Sequence, residues 1–312
     1  MSSPYVSIII PNFNGAHLLE KNLPILLKEA NRLGQFEIIV VDDGSSDKSI
    51  GILKQRFPEV KVISLDKNLG FGIAVNTGAS LSNGEVILVI NNDVWLKEGF
   101  FNPIIRHFGD GSLFSVVPTI LSNNMGNEAI AGGRFWYGLF GINRLGVKYD
   151  SKNKIEILYP SGAVSAYDKK KFLELGGFDD IYVPFYWEDV DLGYRAWKMG
   201  WRTIYEPEST ACHEHRATIK EFYTDHFIRI IEQRNAIIFV WKNIDDRYLL
   251  FEHILFLPIR LLRAIFIQDK VFLKAFWQAL CMIKKVLTKR RIRKQGYLTD
   301  KEIIARIKGN LI

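Results

Sequence analysis

The feature that most constrains this chain is a strand, loop and helix unit that repeats through its first third. Val6 to Ile10 is a β-branched apolar run ending at Pro11-Asn12-Phe13-Asn14-Gly15, and a helical apolar period follows from Leu18 through Leu27. The unit returns as a strand from Glu37 to Val41, a polar loop Asp42-Asp43-Gly44-Ser45-Ser46-Asp47 and a helix from Ser49 to Phe57. A third unit takes Val60 to Leu65 through the glycine loop Asn68 to Gly72 into a helix from Ile73 to Leu81. A fourth strand, Glu85 to Ile90, ends at Asn91-Asn92-Asp93. Strands and helices alternating every 25 to 30 residues or so, about one βα unit each, predict an α/β fold with a mostly parallel, Rossmann-like sheet flanked by helices. Ligands of such sheets sit beyond the C-terminal ends of the strands, where all these polar clusters fall.

From Leu121 to Tyr159 the pattern gives way to Asn- and Gly-rich sequence with interspersed aromatics, Phe135, Trp136, Tyr137 and Phe140. A stretch of that length inside a compact domain reads as a functional loop or lid. Helical periodicity returns at Asp168 to Leu175 and at Asp189 to Met199, Thr203 to Tyr205 is strand-like, and after His215 the chain reads as helix to its end. No window approaches the roughly 18 uncharged apolar residues of a membrane-spanning helix.

Charge divides the chain further. Residues 1–220 carry 23 Lys and Arg against 25 Asp and Glu, whereas residues 221–312 carry 18 against 9. We therefore divide it into an α/β region, 1–220, and a basic, amphipathic, helical region, 221–312. The two cysteines, Cys212 and Cys281, form no disulfide framework and no paired metal motif, and Met1-Ser2-Ser3-Pro4 runs straight into the first strand without a secretory pattern. A cytoplasmic protein is expected.

The loop Gly70-Phe71-Gly72 imitates a dinucleotide-binding turn, but Val75 stands where the third glycine belongs, which argues against an oxidoreductase. Asp42 and Asp43 follow one strand and Asp93 another, so their carboxylates would crowd one crevice and favour a cation. Taken singly, Asp43, Ser45 and Ser46 would serve equally well as helix caps, and Asp93 as the close of a turn.

These segments, Val6 to Asn14, Ile38 to Asp47, Asn68 to Gly72 and Asn91 to Asp93, together with Gly176-Gly177-Phe178-Asp179 and Trp187-Glu188-Asp189-Val190-Asp191-Leu192, resemble the successive motifs of the family 2 glycosyltransferases with the GT-A fold. Bacterial rhamnosyltransferase-like members are similar, and the resemblance covers roughly residues 5 to 215. It implies that Pro11, Phe13, Asn14, Asp42 and Asp43 hold the base and ribose of a nucleotide sugar, with Asn68, Gly70, Asn91, Asn92 and Glu188 along the donor. Asp93 would ligate Mg²⁺ or Mn²⁺ as the last residue of an Asp-x-Asp motif whose first position here is Asn91. His213 would join the metal or the diphosphate, with His215 the weaker candidate, and Asp189 would be the base of an inverting transfer. Physical chemistry alone would also explain Asp191 as the partner of Arg195 at i,i+4, and Glu188 and Asp189 as first-turn acids.

Between Cys281 and Gln295 stand seven basic residues, Lys284, Lys285, Lys289, Arg290, Arg291, Arg293 and Lys294, and no acid. Basic amphipathic helices of this kind lie on anionic membranes, although a partner-protein surface has the same signature. Nucleic acid is not expected, because no binding motif accompanies the charge. The expectation is therefore non-processive transfer of one sugar from a dTDP- or UDP-linked donor to a saccharide acceptor on a polyprenyl carrier, at the inner face of the cell membrane. The alternatives are a catalytically silent membrane adaptor that kept the fold and, behind it, a Rossmann oxidoreductase with a nicotinamide site at the glycine loop.

Overall fold

The computed structural model describes residues 4–122, 130–138, 141–148, 154–214 and 222–309. Strands β1 (Val6–Asn12), β2 (Phe36–Asp42), β3 (Lys61–Ser64) and β4 (Val86–Ile90) run parallel in the order β3-β2-β1-β4. Helices α1 (Ala16–Ala30), α2 (Ser49–Arg56) and α3 (Phe71–Ser80) connect them. Both faces of this half are covered, which is why β1 reads as an unbroken apolar run rather than an alternating one. Ile8 and Ile10 pack with Leu19, Leu23 and Leu26 of α1, while Ile9 packs with Ala74, Val75 and Ala79 of α3. Each buried leucine of α1 contributes roughly 1.5–3 kcal/mol. The chain reverses its direction of growth between β1 and β4, so a crevice opens at the ends of those strands.

Beyond β4 the sheet is mixed. After β5 (Val94–Leu96) and α4 (Phe101–Ile105) comes β6 (Leu113–Ser122), and β10 (Val164–Asp168) lies antiparallel between β4 and β6. β11 (Arg202–His213) runs parallel to β6 and antiparallel to β5 and to β9 (Ile155–Ile157). Sequence periodicity shows only Thr203 to Tyr205 of β11, because a register shift between Glu206 and Thr210, around Pro207, interrupts its pattern. Within Leu121 to Tyr159, read from sequence as loop, β7 (Ile130–Gly138) and β8 (Gly141–Lys148) form an antiparallel hairpin. Glycines in both strands and a shift between Ala131 and Gly133 hide its alternation. The rest of that stretch lies partly outside the described residues, as does His215.

The C-terminal part forms α7 (Asp225–Asn243), α8 (Arg247–Phe266), α9 (Lys270–Cys281), α10 (Ile283–Ile292) and α11 (Asp300–Gly309), preceded by α5 (Lys169–Glu174) and α6 (Glu188–Lys198) in the sheet region. Thr224, Asp246 and Asp269 cap α7, α8 and α9. No helix among the described residues is long and apolar enough to cross a membrane.

The boundary at residue 220 does not divide the core. Val190, Tyr194 and Trp197 of α6 share one apolar cluster with Ile237 and Phe239 of α7, Val286 of α10 and Ile303 of α11. The basic run is also turned inward. Lys285 pairs with Asp180 at 3.0 Å, and Lys289 with Asp179 and Asp180 at 3.0 and 2.6 Å. Arg290 and Arg293 pair with Asp245, and Lys294 with Glu174 at 2.9 Å. Five of the seven basic side chains thus meet carboxylates of the protein itself.

Candidate active site

The loops after β1 and β2 are tied together by their own side chains. Asn12 Nδ2 donates to Asp42 Oδ1 at 2.9 Å and its Oδ1 accepts from Asn92 Nδ2 at 2.8 Å, so one buried amide joins the ends of β1, β2 and β4. Gly15 permits this junction, since a methyl there would lie 2.2 Å from Asn92 Nδ2. Asp42 is fully buried and also accepts from Ser45 N and Oγ at 3.0 and 2.6 Å, so its carboxylate braces the loop. Asn14 accepts from Ser46 N at 2.8 Å. Asp43 accepts from Leu69 N at 2.7 Å and Gly70 N at 2.8 Å, which fixes the Asn68 loop beside it. Burial raises the Asp43 pKa, these two N–H groups oppose the rise, and the Asp42 charge adds to it. Gly44, at φ +72°, makes the turn, with room for no side chain against Lys67. Pro11 and Phe13 are half-buried at the crevice, Phe13 edge-on to Phe222 at 5.4 Å, and Asn68 is exposed.

After β4, Asp93 is buried, and its Oδ1 stands 3.2 Å from His213 Nε2 without a hydrogen bond. β11 delivers His213 by pairing with β5, where it lies opposite Val94. Two such atoms fit neighbouring positions around one divalent cation: ligands at about 2.1 Å in octahedral geometry sit about 3 Å apart. Among the described residues no cluster of three or more His, Cys, Asp or Glu side chains suited to a metal occurs, so other ligands would be oxygens of a diphosphate and water.

Asp189 is tied to the segment that pairs with Asn91. Asn91 N donates to Ala163 O at 2.9 Å, and the neighbouring Gly162 N donates to Asp189 Oδ2 at 3.2 Å. A methyl on Gly162 would lie 3.5 Å from Asp189 Oδ2 and 3.8 Å from Glu188 Oε1. Burial first, then the Asp189 charge, push the Tyr167 phenol well above its ordinary pKa, so it stays neutral beside these acids. On the donor side, Gly70 approaches Pro184 of the segment leading to Asp189; a methyl there would lie 3.2 Å from Pro184 O. Hydrogen bonds thus link the strand end before Asp93 to the segment that donates to Asp189, and a close approach links the loop held by Asp43 to the segment before Asp189.

Residues 7–176 match glycosyl transferase family 2. This chain is a family 2 glycosyltransferase. It is 30% identical over 207 residues to the N-acetylglucosaminyl-diphospho-decaprenol L-rhamnosyltransferase of Mycobacterium tuberculosis, covering 58% of this chain and 66% of that one. A pre-mycofactocin glycosyltransferase of the same organism is 25% identical over 222 residues, covering 70% of this chain and 44% of the relative. The transferase thus spans less than two thirds of the length of either. Among solved structures, GalNAc-T7 with UDP, GalNAc and Mn²⁺ gives a TM-score of 0.63 at 18% identity, over 78% of this chain and 49% of that one. The Pyrobaculum calidifontis mannosyltransferase PcManGT, with GDP-Man and Mn²⁺, gives 0.56 at 17% identity over 99% and 87%. The fold is accordingly GT-A, and the nicotinamide reading of the glycine loop falls away.

Several residues that shape the transferase's site carry no motif. Tyr186 and Trp187, just before the α6 acids, hold left-handed φ values of 70° and 78°, a strained conformation for aromatic residues. Asn235 of α7, fully buried, donates from Nδ2 to the carbonyls of Tyr182, Phe185 and Tyr186 at 3.0, 3.0 and 2.8 Å. Arg234 donates to Val183 O at 2.6 Å, and burial brings its pKa down to about 10. Lys242 of α7 lies between Asp191 at 2.6 Å and Asp179 at 2.7 Å. Burial would raise both acids, but cations hold them below the usual range: Arg195 and Lys242 for Asp191, Lys242 and Lys289 for Asp179. The expected Asp191 to Arg195 pair is present at 2.7 Å. A run of helix-compatible residues after a domain boundary gave no sequence signal for this grip.

Proposed function

We propose that the enzyme transfers one sugar from a dTDP- or UDP-linked donor to a saccharide hydroxyl on a polyprenyl carrier, with inversion at the anomeric carbon. Asp189 accepts the proton of the attacking hydroxyl as the new C–O bond forms and the nucleotide diphosphate departs with the electrons of the old one. Asp93 and His213 would hold Mg²⁺ or Mn²⁺, which when bound would stabilise the charge gathering on the diphosphate. Asp43, Asn14, Pro11 and Phe13 seat the nucleoside, and Asn68, Gly70, Asn91, Asn92 and Glu188 border the sugar diphosphate. The lipid-linked acceptor is supported by the name of the mycobacterial relative, which acts on a decaprenol diphosphate sugar. Such an acceptor would bring the enzyme to the inner face of the cell membrane as a peripheral protein.

What supports this reading is the pair of hydrogen bonds from main-chain N–H groups, Asn91 N to Ala163 O and Gly162 N to Asp189 Oδ2, together with the approach of Asp93 Oδ1 to His213 Nε2. Asp189→Asn keeps the accepting oxygen for Gly162 and removes the base. Transfer should fall by a factor of about 10²–10⁴, with Mn²⁺-dependent nucleotide binding unchanged. Undiminished turnover in this variant would take Asp189 out of the reaction.

A further inference from the structure

Between α7, α8 and α9 lies a cavity of about 290 Å³, none of whose lining residues belongs to the candidate active site. Its apolar wall includes Ile237, Val240 and Phe272, and its polar groups are mostly donors. Arg260 is half-buried over the Phe272 ring, 4.8 Å from its centroid, and makes no hydrogen bond or ion pair among the described residues. Arg263, also lining the cavity, is exposed at its rim. His253 Nε2 accepts from Trp241 Nε1 at 3.1 Å, and an indole can only donate, so the imidazole is neutral and Nδ1 carries its proton. Burial, then the Arg260 charge, hold the His253 pKa down to about 4, which agrees with that tautomer. Gln233 contributes a buried side-chain oxygen without a hydrogen-bond partner. Asp269, the acid in the lining, accepts from Phe272 N at 3.0 Å as the cap of α9. A withdrawn guanidinium without a counter-charge costs stability unless a ligand supplies one.

The outer side of α8 indicates where that ligand comes from. Phe251, Leu255, Ile259, Leu262 and Phe266 recur at spacings of three and four and are 52–88% exposed. At about 100° per residue they form one stripe, nearly opposite Arg260 and with Arg263 on the flank between. Trp277 of α9 is also exposed. A helix lying in the membrane interface sinks such a stripe among acyl chains and holds its flank at the depth of the phosphates. A free inorganic anion would have no use for the stripe. We propose that this cavity seats the phosphate headgroup of an anionic lipid, held by Arg260 and Arg263, with α8 lying in the interface above the acyl chains.

The test compares binding of the full chain to vesicles of phosphatidylcholine alone and of phosphatidylcholine with phosphatidylglycerol; it needs no sugar donor, so its outcome is independent of the proposed reaction. Arg260→Gln should weaken binding to the anionic vesicles by about tenfold or more, as loss of a charge-assisted contact does. The exposed control Arg291→Gln should cost at most about fivefold, the share of one diffuse surface charge. Arg260→Lys should restore most of the binding. Without lipid, Arg260→Gln should unfold no earlier than the wild type, because it removes an uncompensated charge; should it fail to fold, Arg263→Gln replaces it in the same comparison. Equal losses in the Arg260 and Arg291 variants would overturn the proposal. So would stabilisation by inorganic phosphate together with vesicle binding that ignores Arg260.

Discussion

The loops around Asp42 and Asp43 and the turn before Asp189 are built by opposite means. In the loops after β1, β2 and β3, Asp42 and Asp43 take their hydrogen bonds from Ser45, Leu69, Gly70 and Asn12, all within the first three strand and loop units. Before Asp189, the strained Tyr186 and Trp187 turn is held by Asn235 and Arg234, about 50 residues later in the chain. Short loops between parallel strands can satisfy themselves, whereas a turn with left-handed aromatic residues needs a buried partner from elsewhere. The C-terminal helices are therefore part of the site's architecture, and the membrane-facing role proposed for them belongs to the outer side of α8.

The largest effect should come from breaking the remote support. Lys242→Met leaves Asp179 and Asp191 buried with less counter-charge, at a cost of about 3–5 kcal/mol by chemical denaturation at neutral pH. The sign with pH follows from the depressed pKa values. The wild-type contribution is present above the unfolded carboxylate pKa and is lost as pH falls through the lower folded values. In the variant the acids can take up protons, so its deficit should shrink on acidification; a deficit that grows would contradict the pairing. Asn235→Ala strips donors from three carbonyls and should cost about 2 kcal/mol, with kcat reduced more than the KM for donor. Equal stability and kcat would show that the turn holds itself. Ser45→Ala, on the self-supporting side, should cost only about 1 kcal/mol and raise the donor KM more than it lowers kcat.

This contrast also explains what was legible in the sequence. The four parallel strands and their polar ends could be read from β-branched runs and turn residues, because each unit is local. The roles expected of Asp93, Asp189 and His213 come from family motifs; the link from Asn91 to Asp189 runs through Ala163 and Gly162, which carry no signal, and His213 sits on β11, whose register shift around Pro207 breaks the alternation. The hairpin of β7 and β8 escaped because glycines in its strands look like loop. Charge was legible as a count along the chain but not as pairing: Lys289 and Arg290 read as a membrane-seeking run and meet Asp179, Asp180 and Asp245.

The central claim is that Asp93 and His213 hold a divalent cation against a nucleotide diphosphate within reach of Asp189. It is tested most directly by the unfolding midpoint of the full chain with dTDP or UDP, with and without Mn²⁺, in the wild type and in Asp93→Asn. A site filled to 100 times its Kd should add about 2.7 kcal/mol, in the wild type only when nucleotide and Mn²⁺ are present together, and most of that gain should vanish in Asp93→Asn. Equal stabilisation without Mn²⁺, or an undiminished gain in Asp93→Asn, would contradict it.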